Sequence, residues 1–463
     1  MELSFAEVIA ATGGEQLREA GTVATGVAID SRKVRMGDVF FAVKGDRFDG
    51  HRFVDDAVKA GAVGAVISDR RWVPRQGAAI AVEDTRRALG DLARWHRGRM
   101  NVRVAAVTGS NGKTTTRMML AAILRSGHRV VEAPANYNND IGVPLTAFLL
   151  EPETEFAVFE VEMNEPGGTA RLCDICRPEL GVVTNIGDTH LEYMKDRAGV
   201  AREKAELLEA LPESGSAVLN HDDELVREIG ERYARCRKLW YGLDEGADLR
   251  AVKVKDRGLD GVGFVVENGP GVKLKVPGRH NVSNCLAAIA AARELGVDPE
   301  AAARALRKFE SPPMRLRVLK LGQGITVIDD TYNANPQSVH AALDVLCDHE
   351  CAGDRLVFLG DMLEMGERAL KVHTDMGLHV ASCVDRAVFV GPLGEHAVAV
   401  ALKRGVGAGR LRAFHRSDDV LPGLVDMVRP GDTILVKGSR ATEMEKITQA
   451  LVENYGQEPG QAN

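Results

Sequence analysis

The segment best suited to chemistry is a glycine-containing loop, Val107-Thr-Gly-Ser-Asn-Gly-Lys-Thr-Thr-Thr116, between an apolar run and a helical pattern. Gly109 and Gly112 allow backbone N–H groups to converge on a phosphate, and the N-terminus of the following helix adds its dipole. Lys113 would reach the β- and γ-phosphates of a nucleotide, and the Thr114 hydroxyl would face Mg²⁺. Because the loop follows a predicted strand and opens a predicted helix, it indicates a nucleotide-binding site.

The loop departs from the general phosphate-loop pattern at one position. The pattern Gly-x-x-x-x-Gly-Lys-[Ser/Thr] requires glycine where this chain has Val107. The alternative is an ordinary glycine turn between a strand and a helix, beside an exposed lysine. The Gly-Lys-Thr-Thr run in its strand–loop–helix context favours nucleotide binding.

The elements around this loop divide the chain into three parts, as expected for 463 residues at roughly 150 residues per domain. Short β-type runs fill the first part, and the helix-breaking segment Ser311-Pro312-Pro313 precedes the last. Apolar strands alternate with helices in the central and last parts, which predicts parallel-rich sheets and a Rossmann-like, doubly wound last domain. We therefore expect an α/β protein with domains at 1–85, 86–311 and 312–463.

The composition excludes several classes of protein. Apolar residues at 45% and charged residues at 27% are typical of a soluble globular chain. The net charge of −7 without a long basic run argues against a nucleic-acid partner. No apolar stretch approaches the ~18 residues of a membrane span, and the N-terminus lacks signal-peptide features. Seven cysteines do not suggest a disulfide framework, so we expect a cytoplasmic protein.

The phosphate loop resembles that of the Mur ligases, ATP-dependent enzymes that extend the stem peptide of peptidoglycan. Further segments similar to this family follow in the family order and cover nearly the whole chain. In the central and last parts they are residues 136–144, 185–192 with Lys204, 278–288, 330–336, 360–366 with His373, and 437–440. In the first part, residues 30–32, 37–43 and 49–51 are similar to the domain that holds the UDP-sugar end of the substrate.

The resemblance also implies an activity. Tyr-Asn-Ala-Asn-Pro at 332–336 and Gly-Asp-Met-Leu-Glu-Met-Gly at 360–366 are similar to the family member that adds D-alanyl-D-alanine to UDP-N-acetylmuramoyl tripeptide. That reaction uses ATP, passes through an acyl phosphate and yields the pentapeptide precursor of the cell wall. The implied partners are the two substrates, and the implied state is a monomer. Whether the third stem residue is lysine or diaminopimelate stays open.

The resemblance assigns roles to individual residues. The residues implied for ATP are Thr108, Gly109, Ser110, Asn111, Gly112, Lys113, Thr114, Thr115, His280, Asn281, Arg315, Asp330, Tyr332 and Asn333. Those implied for the UDP-linked substrate are Ser31, Arg32, Asn136, Asn138 and Asn139. Those implied for catalysis are Lys113, Glu160, His190 and Lys204. Thr114 and Glu160 would hold Mg²⁺, and His190 and Lys204 a second metal. A protonated lysine has no acceptor for a metal, so the resemblance implies that CO₂ carbamylates Lys204.

Two residues depart from the family pattern Glu-x-Gly-x-Asn-x-x-Gly-Glu, which here is Glu160-Val-Glu-Met-Asn-Glu-Pro-Gly-Gly168. Glu162 stands where glycine is usual, and Gly168 stands where glutamate is usual. Glu160 keeps the metal-ligand position, so the departures concern the geometry of the loop.

Other interpretations remain at this stage. Taken alone, Lys204 would pass for a solvated helix residue, and Tyr332 for a half-buried packing residue. A sibling ligase of the folylpolyglutamate or cyanophycin type would lack the asparagine-rich loop and the UDP-sugar domain. A nucleotide-dependent switch that only hydrolyses ATP would have no use for Glu160, His190 and Lys204.

Overall fold

The computed structural model of the chain describes residues 1–19, 23–45, 48–134, 136–189, 191–405 and 407–457. Over these residues the strands form three sheets, of five, nine and six strands, which follow one another along the chain. Buried apolar clusters lie between each sheet and its helices. The predicted α/β class is confirmed, whereas the boundaries near residues 85 and 311 stay predictions. No helix in the described ranges is long and apolar enough to cross a membrane.

The N-terminal sheet has the order β1-β5-β4-β3-β2, in which β1 is antiparallel to β5 and the other pairs are parallel. Its strands are β1 (Glu15–Arg18), β2 (Gly26–Ala28), β3 (Asp38–Phe41), β4 (Gly64–Ile67) and β5 (Ala78–Ala81), and its helices are α1 (Phe5–Thr12), α2 (Val54–Lys59) and α3 (Thr85–Gly98). The Asp84 side chain accepts hydrogen bonds from two backbone N–H groups of α3, which fixes where that helix begins.

The central sheet has the order β14-β13-β12-β11-β10-β9-β6-β8-β7. Its strands are β6 (Arg103–Thr108), β7 (Val130–Glu132), β8 (Phe156–Glu160), β9 (Leu180–Val183), β10 (Ser216–Asn220), β11 (Arg237–Gly242), β12 (Leu249–Asp256), β13 (Val262–Val266) and β14 (Gly271–Leu274). Its helices are α4 (Lys113–Arg125), α5 (Gly142–Ala147), α6 (Gly168–Cys176), α7 (Leu191–Met194), α8 (Arg197–Ala210), α9 (Glu224–Tyr233), α10 (His280–Glu294) and α11 (Pro299–Leu306). The pairs from β7 to β12 are parallel, and β12, β13 and β14 pair antiparallel. Because β6 lies between β8 and β9, the loop after β6 meets the carboxyl ends of both neighbours.

The last sheet has the order β15-β16-β20-β17-β18-β19. Its strands are β15 (Arg317–Lys320), β16 (Thr326–Asp330), β17 (Arg355–Gly360), β18 (Arg386–Val390), β19 (Leu411–Phe414) and β20 (Thr433–Lys437). Its helices are α12 (Pro336–Cys347), α13 (Ala369–Cys383), α14 (Pro392–Lys403), α15 (Ser417–Val420), α16 (Leu424–Met427) and α17 (Glu445–Tyr455). Separate apolar clusters lie on its two faces, as in a doubly wound fold. The edge strand β15 is antiparallel to β16.

Candidate active site

The loop between β6 and α4 has a backbone that only glycine suits at two positions. Gly109 and Gly112 have φ angles of +139° and +81°, which disfavour residues with a Cβ. A Cβ at Gly109 would also collide with the Thr184 hydroxyl, and one at Gly112 with the Asn284 amide. The Thr184 hydroxyl donates to the Asn111 carbonyl over 2.6 Å. Packing against α10 and the end of β9 therefore stabilises the conformation of the loop. It does so although Val107 stands where the general phosphate-loop pattern has its first glycine.

A cavity of about 770 Å³ opens between the central and last sheets, at the mouth of this loop. It brings together most of the residues that the sequence predicted for ATP and Mg²⁺. The predicted residues that line it are Ser110, Asn111, Gly112, Lys113, Thr114, Thr115, Asn138, Glu160, His280, Asn281, Arg315, Asp330, Tyr332 and Asn333. Thr108 and Gly109 are not among the lining residues: Thr108 ends β6, and Gly109 is the first residue of the loop.

Two oxygen-bearing side chains meet beside the start of α4. The Thr114 hydroxyl donates to Glu160 Oε2 over 2.9 Å, and Asn138 Nδ2 donates to Glu160 Oε1 over 3.0 Å. Glu160 is 2% exposed, and the buried Arg117 places its Nε 3.5 Å from Glu160 Oε2. Hydroxyl and carboxylate oxygens are the donors that Mg²⁺ prefers, so Thr114 and Glu160 fit the ion that the sequence analysis placed there.

Lys113 is held by a carboxylate that the sequence analysis treated only as a departure. Its Nζ donates to the Gly109 carbonyl over 2.7 Å and lies 2.6 Å from Glu162 Oε1. Asn138 Nδ2, which contacts Glu160, also donates to Glu162 Oε2 over 3.3 Å. Glu162 therefore belongs to the site. The sequence could have indicated this, because side chains two residues apart on an extended segment, such as Glu160 and Glu162, point to the same side.

Lys204, on α8, is buried and is not a solvated helix residue. Its side chain is 1% exposed, and its Nζ lies 2.7 Å from Glu203 Oε2 and 3.7 Å from Glu162 Oε1. Burial lowers the pKa of Lys204, but the carboxylates of Glu203 and Glu162 outweigh burial and raise it overall. His190, its predicted partner at a second metal, lies outside the described residues.

The predicted adenine side lies at the start of α10. His280 is exposed there, and Asn281 is buried. The Asn281 side chain donates to the Pro277 carbonyl over 2.7 Å and accepts from Asn284 Nδ2 over 2.9 Å. Asn281 therefore fixes the turn before α10, and its contact with a nucleotide stays a prediction.

Arg315 reaches the phosphate loop from the segment before β15. Its Nη2 donates to the Thr114 hydroxyl over 3.1 Å, and its guanidinium lies 3.7 Å from the centre of the Tyr332 ring. Such a stacked arrangement is a cation–π contact. Tyr332 therefore packs against the Arg315 guanidinium, and its contact with a nucleotide stays a prediction.

Asp330 and the loop after it surround a buried cation, Lys437. Lys437 Nζ lies 2.5 Å from Asp330 Oδ2 and donates to the Asn333 carbonyl over 2.9 Å. Asp330 Oδ1 accepts from the backbone N–H of Leu316 over 3.1 Å. Asp330 therefore ties β16 to β20 and to the segment that carries Arg315.

Two residues of the last domain that the sequence analysis left unassigned contact the phosphate loop. Asn335 Nδ2 donates to Asn111 Oδ1 over 2.7 Å, and Asn111 Nδ2 donates to Gln337 Oε1 over 3.1 Å. Asn335 belongs to the Tyr-Asn-Ala-Asn-Pro motif, which was the available signal. These amide contacts hold the last domain against the loop.

The residues predicted for the UDP-linked substrate are only partly brought to the cavity. Asn138 lines it, and Asn139 lines an adjoining cleft of about 380 Å³. Asn139 Oδ1 accepts from the backbone N–H of residue 142 over 2.9 Å, which begins α5. Asn136 is exposed. Ser31 and Arg32 form part of a 3₁₀ turn on the N-terminal domain, where Arg32 is 87% exposed and pairs with Asp30 over 2.8 Å.

Comparison with known proteins connects this geometry to a family. The model of the Mur ligase middle domain matches residues 107–292, that of the Mur ligase glutamate ligase domain matches 314–440, and that of the Mur ligase family catalytic domain matches 23–97. The UDP-N-acetylmuramoyl-tripeptide–D-alanyl-D-alanine ligase of Bacillus subtilis is 36% identical over 440 residues, 94% of each chain. The ligase of the same name from Escherichia coli is 37% identical and covers 95% of this chain and 96% of its own.

Solved structures agree with the sequence relatives. A crystal structure of MurF from Acinetobacter baumannii has a TM-score of 0.89 at 32% identity and covers 98% of this chain and 99% of its own. MurF from Thermotoga maritima in complex with ADP has a TM-score of 0.79 at 29% identity, over 92% and 97% of the two chains. The phosphate loop, the carboxylate beside it and the three sheets thus occur together in a chain that belongs to the Mur ligase family.

Proposed function

We propose that this chain is the ATP-dependent ligase that joins D-alanyl-D-alanine to UDP-N-acetylmuramoyl tripeptide, giving the pentapeptide precursor of peptidoglycan. The observation that carries the proposal is the meeting of Lys113, Thr114, Glu160 and Arg315 around one cavity, in a chain similar along nearly its whole length to enzymes of that name. A phosphate loop alone would support only nucleotide binding.

The reaction has a clear chemical requirement. A carboxylate is a poor electrophile, so its oxygen first attacks the γ-phosphorus of ATP, forming an acyl phosphate and releasing ADP. The amine of D-alanyl-D-alanine then attacks the acyl carbon, phosphate leaves with the C–O bond pair, and the amine loses a proton. Two anions meet in the first step, and cations must offset their repulsion. Lys113 and Arg315 line the cavity, and they would supply this positive charge.

Mg²⁺ fits the same step. Thr114 and Glu160 would hold it, and when bound it supplies charge neutralisation between the phosphates of ATP. Arg117 keeps the Glu160 carboxylate oriented, because its Nε lies 3.5 Å from Glu160 Oε2 in a buried position. A second metal at His190 and Lys204 is part of the family expectation. The carbamate that the family resemblance implies on Lys204 would complete this second site, beside the carboxylates of Glu203 and Glu162.

The contacts between domains support catalysis in a closed form. Arg315 and Asn335 reach the phosphate loop only while the last domain lies against the central one. Closure would exclude water from the acyl phosphate, which water can hydrolyse. Ser31 and Arg32 would bind the UDP end on the N-terminal domain. We further propose that the enzyme acts as a cytoplasmic monomer.

The test is phosphate release with ATP, Mg²⁺, UDP-N-acetylmuramoyl tripeptide and D-alanyl-D-alanine, each omitted in turn, with the product mass recorded. We expect release to require every component and the product to weigh tripeptide plus dipeptide minus water. Separate reactions with lysine- and diaminopimelate-containing tripeptides would identify the third residue. Release that continues without the dipeptide would contradict the proposal and favour an ATPase or a sibling ligase.

A further inference from the structure

Two half-buried cysteines of the last domain lie side by side. Cys347 is the last residue of α12, and Cys383 is the last residue of α13. The Cys347 thiol donates to the carbonyl of Cys383 over 3.2 Å, although the two residues are 36 apart in the chain. Both side chains pack at the edge of an apolar cluster of the last domain. The fold therefore brings together the ends of two helices, and each end carries a thiol.

A hydrogen bond between the two thiols makes them chemically unequal. The Cys383 sulfur accepts from the Cys347 thiol, which stabilises a thiolate at Cys383 and lowers its pKa against the effect of burial. The same hydrogen bond, together with burial, raises the pKa of Cys347. Because the thiolate is the nucleophilic form of cysteine, Cys383 is suited to attack an oxidant, and Cys347 is suited to the step that follows.

The other five cysteines lack this combination of contact and access. Cys173 and Cys176 neighbour each other on α6 but are 2% and 0% exposed, and Cys236 and Cys285 are also buried. Thiols buried in apolar surroundings are inert. Cys351 is half-buried, but its thiol donates to a backbone carbonyl of its own loop over 3.1 Å. Accessible thiols in mutual contact are thus found at Cys347 and Cys383.

Clustered thiols can also bind a metal ion. The same two helices carry His340 and His379, whose ring centroids are 4.6 Å apart. Among the residues that the structure describes, however, no three His, Cys, Asp or Glu side chains are placed to hold one metal ion. The cysteine pair therefore fits thiol–disulfide chemistry better than metal binding.

We propose that Cys347 and Cys383 are a reversible disulfide site, which a low-molecular-weight disulfide oxidises. The Cys383 thiolate attacks one sulfur of that molecule, whose S–S bond breaks and releases a small thiolate. Cys347 then loses its proton and attacks the Cys383 sulfur, which releases the second small thiolate. The two protons of the protein thiols end on the two small thiols. Two protein thiols are thereby oxidised to one disulfide, and the small disulfide is reduced.

The new bond would stabilise the last domain. It encloses residues 347–383, which contain β17 and the segment 363–365 at the wall of the large cavity. A cross-link over such a loop restricts the unfolded chain and so favours the folded domain. Neither cysteine is among the residues that line the two cavities of the site. The disulfide therefore acts on the stability of the domain, and its chemistry is independent of the proposed ligase function.

The first test maps the disulfide. The reduced full-length protein is equilibrated with glutathione disulfide and glutathione at increasing ratios, and free thiols are blocked with N-ethylmaleimide. The chain is then cut, without reduction, by a protease that cleaves before aspartate, which separates Cys347 from Cys351 at Asp348. We expect a linked pair of peptides that carry Cys347 and Cys383 and together lack two hydrogen atoms. Blocked thiols or lasting glutathione adducts at these positions under the most oxidising ratio, or a disulfide from Cys351, would overturn the proposal.

The second test measures the effect on the fold. Melting of the last domain is compared for the parent, Cys383→Ser and Cys351→Ser, each before and after the same oxidation. Cys351→Ser is the matched control, because Cys351 is also half-buried and lies in the loop after α12. We expect oxidation to raise the melting temperature of the parent and of Cys351→Ser by about 5 °C or more, and dithiothreitol to reverse the rise.

Cys383→Ser should show no rise on oxidation, because it lacks the attacking thiolate. An unchanged melting temperature of the oxidised parent, or an equal rise in all three proteins, would overturn the stabilising role. Melting of the reduced variants shows whether the substitutions themselves disturb the fold. Cys347→Ser, which removes the second thiol of the pair, replaces Cys383→Ser if that variant is unstable when reduced.

Discussion

Replacing Arg117 with methionine should destabilise the central domain and weaken the binding of Mg²⁺ at Thr114 and Glu160. Arg117 and Glu160 are each 2% exposed and lie 3.5 Å apart, and Arg117 Nη1 also donates to the Ala133 carbonyl. Methionine fills similar space without charge, so the hydrogen-bond donors left to Glu160 among the described residues are the neutral Thr114 and Asn138. Removing one member of a buried pair costs about 3–5 kcal/mol, because the remaining charge loses the counterion packed against it.

The assay is thermal unfolding combined with a double-mutant cycle. For a unit of about 150–250 residues each kcal/mol corresponds to ~2–4 °C, so Arg117→Met should lower the melting temperature of the central domain by on the order of 10 °C. Adding Glu160→Gln should return part of this loss, because the uncompensated charge is gone, with a coupling energy of about 1–3 kcal/mol. Additive effects, or a melting temperature for Arg117→Met within ~1 °C of the parent, would refute the reasoning.

Three further substitutions test contacts at the phosphate loop, between the domains and within the last domain. Lys113→Ala should abolish ADP formation, since the ATP phosphates lose the lysine of the phosphate loop. Activity near the parent level would contradict the assignment of this segment as a phosphate loop. Asn335→Ala removes the 2.7 Å contact with Asn111. It should lower kcat more than it raises KM for ATP, because it weakens the closed arrangement of the two domains. A change in KM alone would contradict this. Burial raises the pKa of Asp329, against hydrogen bonds from Thr331. The folded state then binds more protons than the unfolded state, so its stability falls as pH rises from the ordinary aspartate pKa of about 3.8 through the raised pKa. Melting temperatures of Asp329→Asn, measured across this pH range, should lack that fall.

The sequence predicted the centre of the site because its chemistry is local. The residues of the phosphate loop are consecutive, and Thr114 needs only the first turn of α4 to face a phosphate. The parallel-rich sheets were predictable for a similar reason, since buried strands such as β6 and β8 are continuous apolar runs. Edge strand β1 is polar and largely exposed, so no periodicity marks it.

Long-range pairing explains what the sequence could not show. Arg117 follows three threonines on a helix and would pass for a surface cation, yet β8 places Glu160 against it. Lys204 has a neighbouring carboxylate in the chain, Glu203, but its second carboxylate, Glu162, comes from another segment. Such pairs are set by which strands and helices are adjacent, and adjacency is a property of the fold.

The distribution of charge between domains explains why the active site needs both of them. The central domain supplies Glu160 and Glu162 at the cavity, and its cations Lys113 and Arg117 are already paired with these carboxylates. The last domain supplies Arg315, which donates to Thr114 and is supported by Tyr332. A central domain alone could bind a nucleotide through Lys113, but its two cations at the cavity would also have to offset the carboxylates with which they are paired. Docking of the last domain therefore changes the balance of charge at the cavity and makes phosphoryl transfer depend on closure.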